Sequence, residues 1–196
     1  MKAMKIAIIS ASVRMGRNSH RVALFFTNYI ETNNLATVDL LDLNEYKFPI
    51  FSERLRNIKD PTVQMLDFAD KIRKANGVII VTPEYNGGYP ASLKNVIDFL
   101  YAEWRRKPIA LATASSGPFG GAQVTTSLVF NFWKIGAWIV PAMCPVARVQ
   151  SQYDENGTPV EKDAVEKRTR PFIDELFWCM EANTRIETTD STIKLQ

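Results

Sequence analysis

The stretch that decides the fold of this chain is Val78-Ile79-Ile80-Val81-Thr82-Pro83-Glu84-Tyr85-Asn86-Gly87-Gly88-Tyr89-Pro90-Ala91-Ser92-Leu93-Lys94-Asn95. Its first five residues are mostly apolar and β-branched, which predicts a strand buried on both faces of a parallel sheet. Two glycines and two prolines then predict a rigid loop, and the residues after Pro90 have helical spacing. Tyr85 and Tyr89 would place aromatic faces beside exposed backbone N–H groups, so the loop suits a flat heteroaromatic ligand.

Residues 83–87 resemble the Pro-Glu-Tyr-Asn-Gly loop of the NADPH-dependent FMN reductase family. The continuation Pro-Ala-Ser-Leu-Lys-Asn-Val-Ile-Asp-Phe-Leu at residues 90–100, after a buried strand, makes the resemblance specific. The family is flavodoxin-like and includes quinone, azo-dye and chromate reductases. The resemblance extends to about residue 180 and implies FMN as cofactor, with NADPH or NADH as co-substrate.

Length and composition favour one domain without a nucleic-acid surface. The chain has 196 residues, 46% of them apolar, which is enough to cover a sheet on both faces. Its formal net charge is only +3, with basic residues scattered among acidic ones, so we expect no nucleic-acid partner. A small anionic ligand is enough to explain a local basic cluster.

The cysteines and the lengths of the hydrophobic runs indicate the cellular compartment. Cys144 and Cys179 lack metal-type or Cys-x-x-Cys spacing, so we predict buried thiols and no metal site. The N-terminal apolar segment, Ile6–Ile9, is too short for a signal-peptide core, and no run approaches the roughly 20 apolar residues of a membrane span. We expect a cytoplasmic protein without a membrane partner.

Short apolar runs alternate with helical segments, the pattern of a parallel sheet with helices on both faces. We predict an α/β, three-layer, doubly wound sheet of five parallel strands, for which the resemblance implies the flavodoxin-like order 2-1-3-4-5. One FMN-binding domain would span residues 1–183, followed by a polar, frayed tail at 184–196. The predicted strands are residues 5–10, 36–41, 78–82, 108–114 and 138–141. The predicted helices are one carrying Val22 to Ile30, then 62–75, 90–102, 121–136 and 161–182, the last interrupted or restarted by Pro171.

The turn after the first strand, residues 10–20, has the composition of an anion site. It contains serines, an asparagine, a glycine and two arginines immediately before a helix. A helix N-terminus offers unpaired N–H groups and a positive dipole end, and arginine adds charge-assisted hydrogen bonds. The turn has neither the Gly-x-x-x-x-Gly-Lys-Ser/Thr nor the Gly-x-Gly-x-x-Gly pattern, and no cysteine nucleophile lies within it.

The same turn is similar to the family's Gly-Ser-x-Arg-x-x-x-x-Ser pattern for the FMN phosphate. Ser12, Arg14 and Ser19 occupy the matching positions, with Arg17 and Asn18 beside them. Ala11 stands where the family often has glycine.

In an open doubly wound sheet, ligands bind beyond the carboxyl ends of the strands, at the point where the strand order reverses. For the order 2-1-3-4-5 that point lies between the first and third strands, whose loops carry both motifs. We therefore predict that the residues of the first turn hold the FMN phosphate. The resemblance implies that the flavin ring lies between two further sets of residues: Pro83, Glu84, Tyr85, Asn86 and Gly87 on one side, mainly through backbone N–H groups, and Ser116 and Gly117 on the other.

Hydride chemistry carried by the flavin needs no catalytic side chain, so we predict none, although Glu84 and the single histidine, His20, remain alternatives as acids.

The Asp154–Gly157 segment is predicted to be a solvated turn because it lacks the alternating ligands of a calcium loop. Part of Trp104–Lys107, otherwise a solvated helix end, could meet the adenosine phosphate of NADPH.

The predicted function is an FMN-dependent oxidoreductase. NADPH or NADH would reduce FMN, which then reduces a quinone, flavin, azo or nitro compound or metal oxyanion by a ping-pong route. The alternatives are a flavodoxin-type electron carrier that does not turn over NADPH and a flavin-free regulatory protein. Phe99, Tyr101 and Trp104 exceed what one sheet face would cover, so we also expect a homodimer or homotetramer.

Overall fold

The computed structural model describes residues 4–190. Its centre is a five-stranded, all-parallel sheet. The strands are β1 (Lys5–Ser10), β2 (Thr37–Asp42), β3 (Gly77–Pro83), β4 (Pro108–Ala114) and β5 (Trp138–Val146). Their order across the sheet is β2-β1-β3-β4-β5, which confirms the predicted fold class and strand order.

Helices occupy both faces of the sheet at the predicted places. The helices are α1 (Ser19–Thr32), α2 (Leu43–Tyr46), α3 (Val63–Lys74), α4 (Ala91–Phe99), α5 (Val124–Lys134), α6 (Val149–Gln152) and α7 (Lys162–Asp190). The short helices α2 and α6 were not predicted, and short 3-10 turns lie at Leu55–Asn57 and Ala102–Trp104.

Two apolar cores lie on opposite faces of the sheet because successive strand residues point to opposite sides. Ile6 and Ile8 of β1 face a core that also contains buried residues of α1 and α7. Ala7 and Ile9 face the other core, which contains buried residues of α3, α4 and α5. The sheet is thus covered on both sides, and its loops are left at the two ends of the strands.

Helix α7 corrects two predictions. It runs without interruption from Lys162 to Asp190 with Pro171 inside it, so the predicted break at Pro171 and the predicted end at residue 182 are both wrong. Proline costs a helix about 3 kcal/mol, but each fully buried large apolar side chain contributes about 1.5 to 3 kcal/mol. Phe172, Ile173, Leu176 and Met180 are all buried against the sheet. Residues 184–190 of the predicted tail are helical, and residues 191–196 lie outside the described part of the chain.

The edge strand β5 is longer than predicted, since it continues past Pro141 and Pro145 to Val146. Proline is tolerated in an edge strand because one side has no ladder partner to lose. The pairing of β4 with β5 shifts register between Ile109 and Leu111, which accommodates the extra residues.

Two of the aromatic residues that predicted self-association are buried inside the chain. The Trp104 indole N–H donates to the Ile97 carbonyl at 3.1 Å, and the Phe99 ring stacks on Phe48. That basis for an oligomer is therefore wrong, although Tyr101 is exposed. Within residues 4–190, no helix is long and apolar enough to cross a membrane.

Candidate functional site

One cavity of about 370 Å³ lies at the carboxyl edge of the sheet, between the loops that follow β1, β3 and β4. It brings together nine of the twelve predicted site residues. Asn86 and Gly117 directly follow lining residues and Gly87 follows Asn86, but none of the three is part of the wall. The wall consists of Ser12, Arg14, Met15, Gly16, Arg17, Asn18, Ser19, Pro83, Glu84, Tyr85, Ala114, Ser115, Ser116, Val149 and Gln150.

The start of α1 forms one end of this cavity and has unused hydrogen-bonding groups. Asn18, at the N-cap position, makes no side-chain capping bond. The Ser19 hydroxyl is buried and has no hydrogen-bond partner among the described residues. A buried polar group without a partner is costly, and the first N–H groups of a helix lack partners within the helix. This end of the cavity therefore offers hydrogen-bond donors to an anion that carries several acceptor oxygens.

The two arginines of the loop have different environments. Arg14 is exposed, lines the cavity and makes no ion pair with a described residue. Arg17 also lines the cavity, but its guanidinium pairs with both carboxylate oxygens of Asp42 and donates to the Ser12 carbonyl at 3.1 Å. Arg14 is therefore the free cation of this loop, whereas the charge of Arg17 is compensated by Asp42.

The loop after β3 is a tight hairpin turn. The Tyr85 N–H donates to the Gly88 carbonyl at 2.8 Å, and the Gly88 N–H donates to the Tyr85 carbonyl at 3.0 Å. Asn86 and Gly87 have φ values of 53° and 78°, which is the type I′ geometry that Asn-Gly favours. The turn consumes the Tyr85 N–H, whereas the N–H groups of Glu84, Asn86 and Gly87 take no part in its two bonds.

A hydroxyl contact joins the two predicted motifs. The Ser12 and Tyr85 hydroxyl oxygens are 2.7 Å apart, although the residues are 73 positions apart in the chain. The strand order causes this approach, because β1 and β3 are neighbours and their carboxyl ends lie side by side. The prediction that both loops border one site is consistent with this contact.

The loop after β4 is held by a segment that sequence reasoning did not include. The Val149 N–H donates to the Ser115 carbonyl at 3.1 Å, and the Gln150 amide donates to the Ser116 hydroxyl at 3.0 Å. Gly117 accepts the Arg148 N–H at 3.1 Å, so it supports the loop from outside the wall. The rule that ligands bind beyond the carboxyl ends of strands would have indicated this segment, but β5 was predicted to end at residue 141.

His20 does not line the cavity. Its Nδ1 is 2.9 Å from the Ser10 hydroxyl and 3.7 Å from an Asp42 oxygen. Burial, reinforced by the neighbouring Arg17 charge, lowers the pKa of His20 below its ordinary value of 6.5, although Asp42 and Glu45 oppose this. The imidazole thus belongs to the support beneath the loop. Glu84, the other alternative acid, does line the cavity.

The Trp104–Lys107 stretch lies at the opposite end of the sheet. These residues directly precede β4, whereas the cavity adjoins its carboxyl end. Lys107 donates to the Arg73 and Ala75 carbonyls at the end of α3, and burial lowers its pKa. The suggested contact with the adenosine phosphate of NADPH is therefore wrong.

Residues 4–150 match the model of a known family, described as NADPH-dependent FMN reductase. An NAD(P)H-dependent FMN reductase of Saccharomyces cerevisiae is 30% identical over 138 residues, which cover 64% of this chain and 71% of the yeast protein. A quinone reductase of Pseudomonas putida is 31% identical over 135 residues, or 64% of this chain and 69% of that protein.

A solved structure resembles the fold. FerB, a flavoenzyme NAD(P)H:(acceptor) oxidoreductase from Paracoccus denitrificans, superposes with a TM-score of 0.73 at 22% identity. The superposition covers 91% of this chain and 98% of FerB, so the two chains share the whole architecture of the sheet and its helices.

Proposed function

This chain belongs to the NADPH-dependent FMN reductase family, and we propose that FMN binds in the cavity at the carboxyl edge of its sheet. The protein is an oxidoreductase that uses FMN with NADPH or NADH. One observation carries the proposed location. The buried Ser19 hydroxyl has no hydrogen-bond partner in the described part of the chain, and it lies at the start of α1, in the same cavity as Tyr85.

The donors at the start of α1 fit the phosphate end of FMN. Arg14 supplies a positive charge that no carboxylate of residues 4–190 pairs with, and side-chain donors beside the helix N-terminus come from Ser12, Asn18 and Ser19. The phosphate is a dianion with acceptor oxygens only, so it would satisfy the Ser19 hydroxyl and be stabilised by the helix dipole. Arg17, predicted from the sequence as a ligand, also lines the cavity, and we propose that it supports the loop through its contacts with Asp42 and the Ser12 carbonyl.

The other end of the cavity fits the flavin ring. Pro83, Glu84 and Tyr85 lie on one side and Ser116 on the other, with Gly117 behind it. We propose that the N–H groups of Asn86 and Gly87 at the adjoining turn donate to the polar edge of the ring. Such preorganised donors stabilise negative charge that develops on reduction, so the chain needs no acid or base of its own.

FMN supplies the chemistry when bound, taking a hydride from NADPH or NADH and passing electrons to an acceptor. We propose that the acceptor is a small molecule (a quinone, flavin, azo or nitro compound or metal oxyanion) and that the two half-reactions follow a ping-pong order. The quinone reductase relative supports this acceptor class.

An absorption spectrum before and after anaerobic addition of NADPH tests the function. We expect the purified protein to be yellow and the visible absorption band of its oxidised flavin to bleach when NADPH is added. A band that persists with NADPH and with NADH would favour the electron carrier. A colourless protein that cannot be reconstituted with FMN would refute the proposal.

We propose that residues 1–183 act as one FMN-binding domain in the cytoplasm. Both cores pack on one sheet, which supports a single domain. Cys144 and Cys179 are free, buried thiols, as expected for a reducing compartment.

We also propose that two copies associate through the outer face of α5. Phe130 and Trp133 are 62% and 66% exposed there and contact each other, with Val129 beside them. Among residues 124–134 the only charged residue is Lys134, so the exposed face is largely apolar and carries a single charge at the end of the helix, which suits a self-complementary contact. Sedimentation should show a dimer or larger assembly that Trp133→Glu converts to a monomer, whereas Trp178→Glu, at an equally exposed tryptophan of α7, should not. A monomeric parent protein would contradict the proposal.

A further inference from the structure

A buried carboxylate lies directly beneath the proposed phosphate site. Asp42 is the last residue of β2, and its side chain is only 4% exposed. In the sheet Asp42 pairs with Ser10, the last residue of β1, so it lies where the phosphate loop begins. A negative charge near a phosphate dianion is unfavourable unless it is compensated.

Arg17 provides that compensation through two parallel contacts. Its two terminal nitrogens bind the two oxygens of Asp42, and the Asn44 N–H donates to the same carboxylate at 3.0 Å. A bidentate arginine–carboxylate pair fixes the orientation of the guanidinium as well as its charge. The pair is therefore close to neutral and rigid.

The fixed guanidinium also closes the phosphate loop. Its Nη1 donates to the Ser12 carbonyl at 3.1 Å, which joins the first and last parts of the segment from Ser12 to Arg17. Between them lies Gly16 with φ of 66°, a flexible position that would not hold the loop by itself. Asp42 thus reaches the loop through Arg17.

Ser12 connects the loop after β1 to Tyr85 and to its own backbone at Arg14. Its hydroxyl oxygen is 2.7 Å from the Tyr85 hydroxyl oxygen and 3.4 Å from the Arg14 nitrogen. The Tyr85 backbone is held separately by the two bonds of its own turn. A shift of Ser12 would therefore displace Arg14 at the phosphate end of the cavity more than it displaces the ring end.

We propose that Asp42 is a positioning residue for the FMN phosphate, holding the loop in its binding shape through Arg17. This inference rests on the proposed function. For a variant without the Asp42 carboxylate, it predicts the opposite of simple electrostatics. If charge alone mattered, the loss of a negative charge and the release of Arg17 would strengthen FMN binding. If Asp42 supports the loop, its loss weakens FMN binding.

The experiment compares FMN with riboflavin, which has the same ring and no phosphate, by fluorescence titration of the flavin-stripped, full-length protein. For Asp42→Asn we expect FMN affinity to fall by about tenfold or more, with riboflavin affinity changed less than about twofold. Asp39→Asn is the matched control, because Asp39 lies on the same strand and pairs with Lys5.

Arg17→Lys is the second variant, since it keeps both charges and loses the bidentate geometry. We expect it to weaken FMN binding selectively, as Asp42→Asn does, and it keeps the test valid if Asp42→Asn fails to fold. Unchanged or tighter FMN binding by a folded Asp42→Asn or by Arg17→Lys would overturn the inference, as would equal losses for FMN and riboflavin. A parent protein that binds FMN no more tightly than riboflavin would instead refute the proposed phosphate site.

Discussion

Replacement of Arg14 by alanine is the most direct perturbation of the proposed phosphate site. Arg14 is the cation of the loop without an ion pair to a described residue, whereas Arg17 is paired with Asp42. A hydrogen bond to a charged group contributes about 1.5 to 3 kcal/mol, which corresponds to about 10- to 150-fold in affinity. Because Arg14 is exposed in the free protein, screening favours the lower part of this range, about 10- to 30-fold.

The assay is a titration of the flavin-stripped Arg14→Ala protein with FMN and with riboflavin at two salt concentrations. We expect a selective loss of FMN affinity, together with a weaker dependence on salt than in the parent protein, because one phosphate contact is gone. Arg105→Ala is the matched control, since Arg105 is exposed and directly precedes β4 at the other end of the sheet.

Equal FMN affinities for Arg14→Ala and the parent protein would refute the reasoning. A similar loss in Arg105→Ala would show that the effect arises from net charge and not from a local contact. A parallel loss of riboflavin affinity would indicate a disturbed fold.

Other predictions concern stability. Gly157→Ala should lower the free energy of unfolding, measured by urea titration, by about 2 kcal/mol or more. A Cβ at Gly157 would lie 2.5 Å from the Phe25 nitrogen, and the φ of 79° is unfavourable for alanine. Gly16→Ala is the control and should cost less, because Gly16 has a similar φ but open space around it. The lowered pKa of His20 means that the unfolded chain binds its proton more readily, so stability should fall as the pH drops from 6.5 through the folded pKa. His20→Gln should flatten this loss below about pH 6.5, and identical pH profiles of the melting temperature for the variant and the parent protein would contradict it. Lys107→Met should cost about 1 to 3 kcal/mol, since two carbonyls at the end of α3 lose their donor, while a change within error in a thermal melt would show that water replaces it.

The sequence determined the sheet and the general position of the site. Five short runs rich in β-branched and apolar residues predicted β1 to β5. A strand that is covered on both faces needs apolar side chains on both, so such a run indicates a strand of a parallel sheet. The phosphate-type loop after β1 and the Asn-Gly turn after β3 were also readable, because glycine, asparagine and helix-start residues act locally. Their meeting at one edge followed from the general rule for doubly wound sheets.

The tertiary structure decided the partners of the charged and aromatic side chains. Arg17 and Arg14 are similar in the sequence, but only Arg17 reaches Asp42, which arrives from β2 because that strand lies beside β1. Phe99 and Trp104 became core residues for the same reason, since their neighbours come from distant segments. Pro171 inside α7 shows that packing can override the local tendency of proline to end a helix. An ion pair or a buried ring depends on distances between elements that are far apart in the chain, whereas a local sequence pattern reports only the conformational preference of one segment.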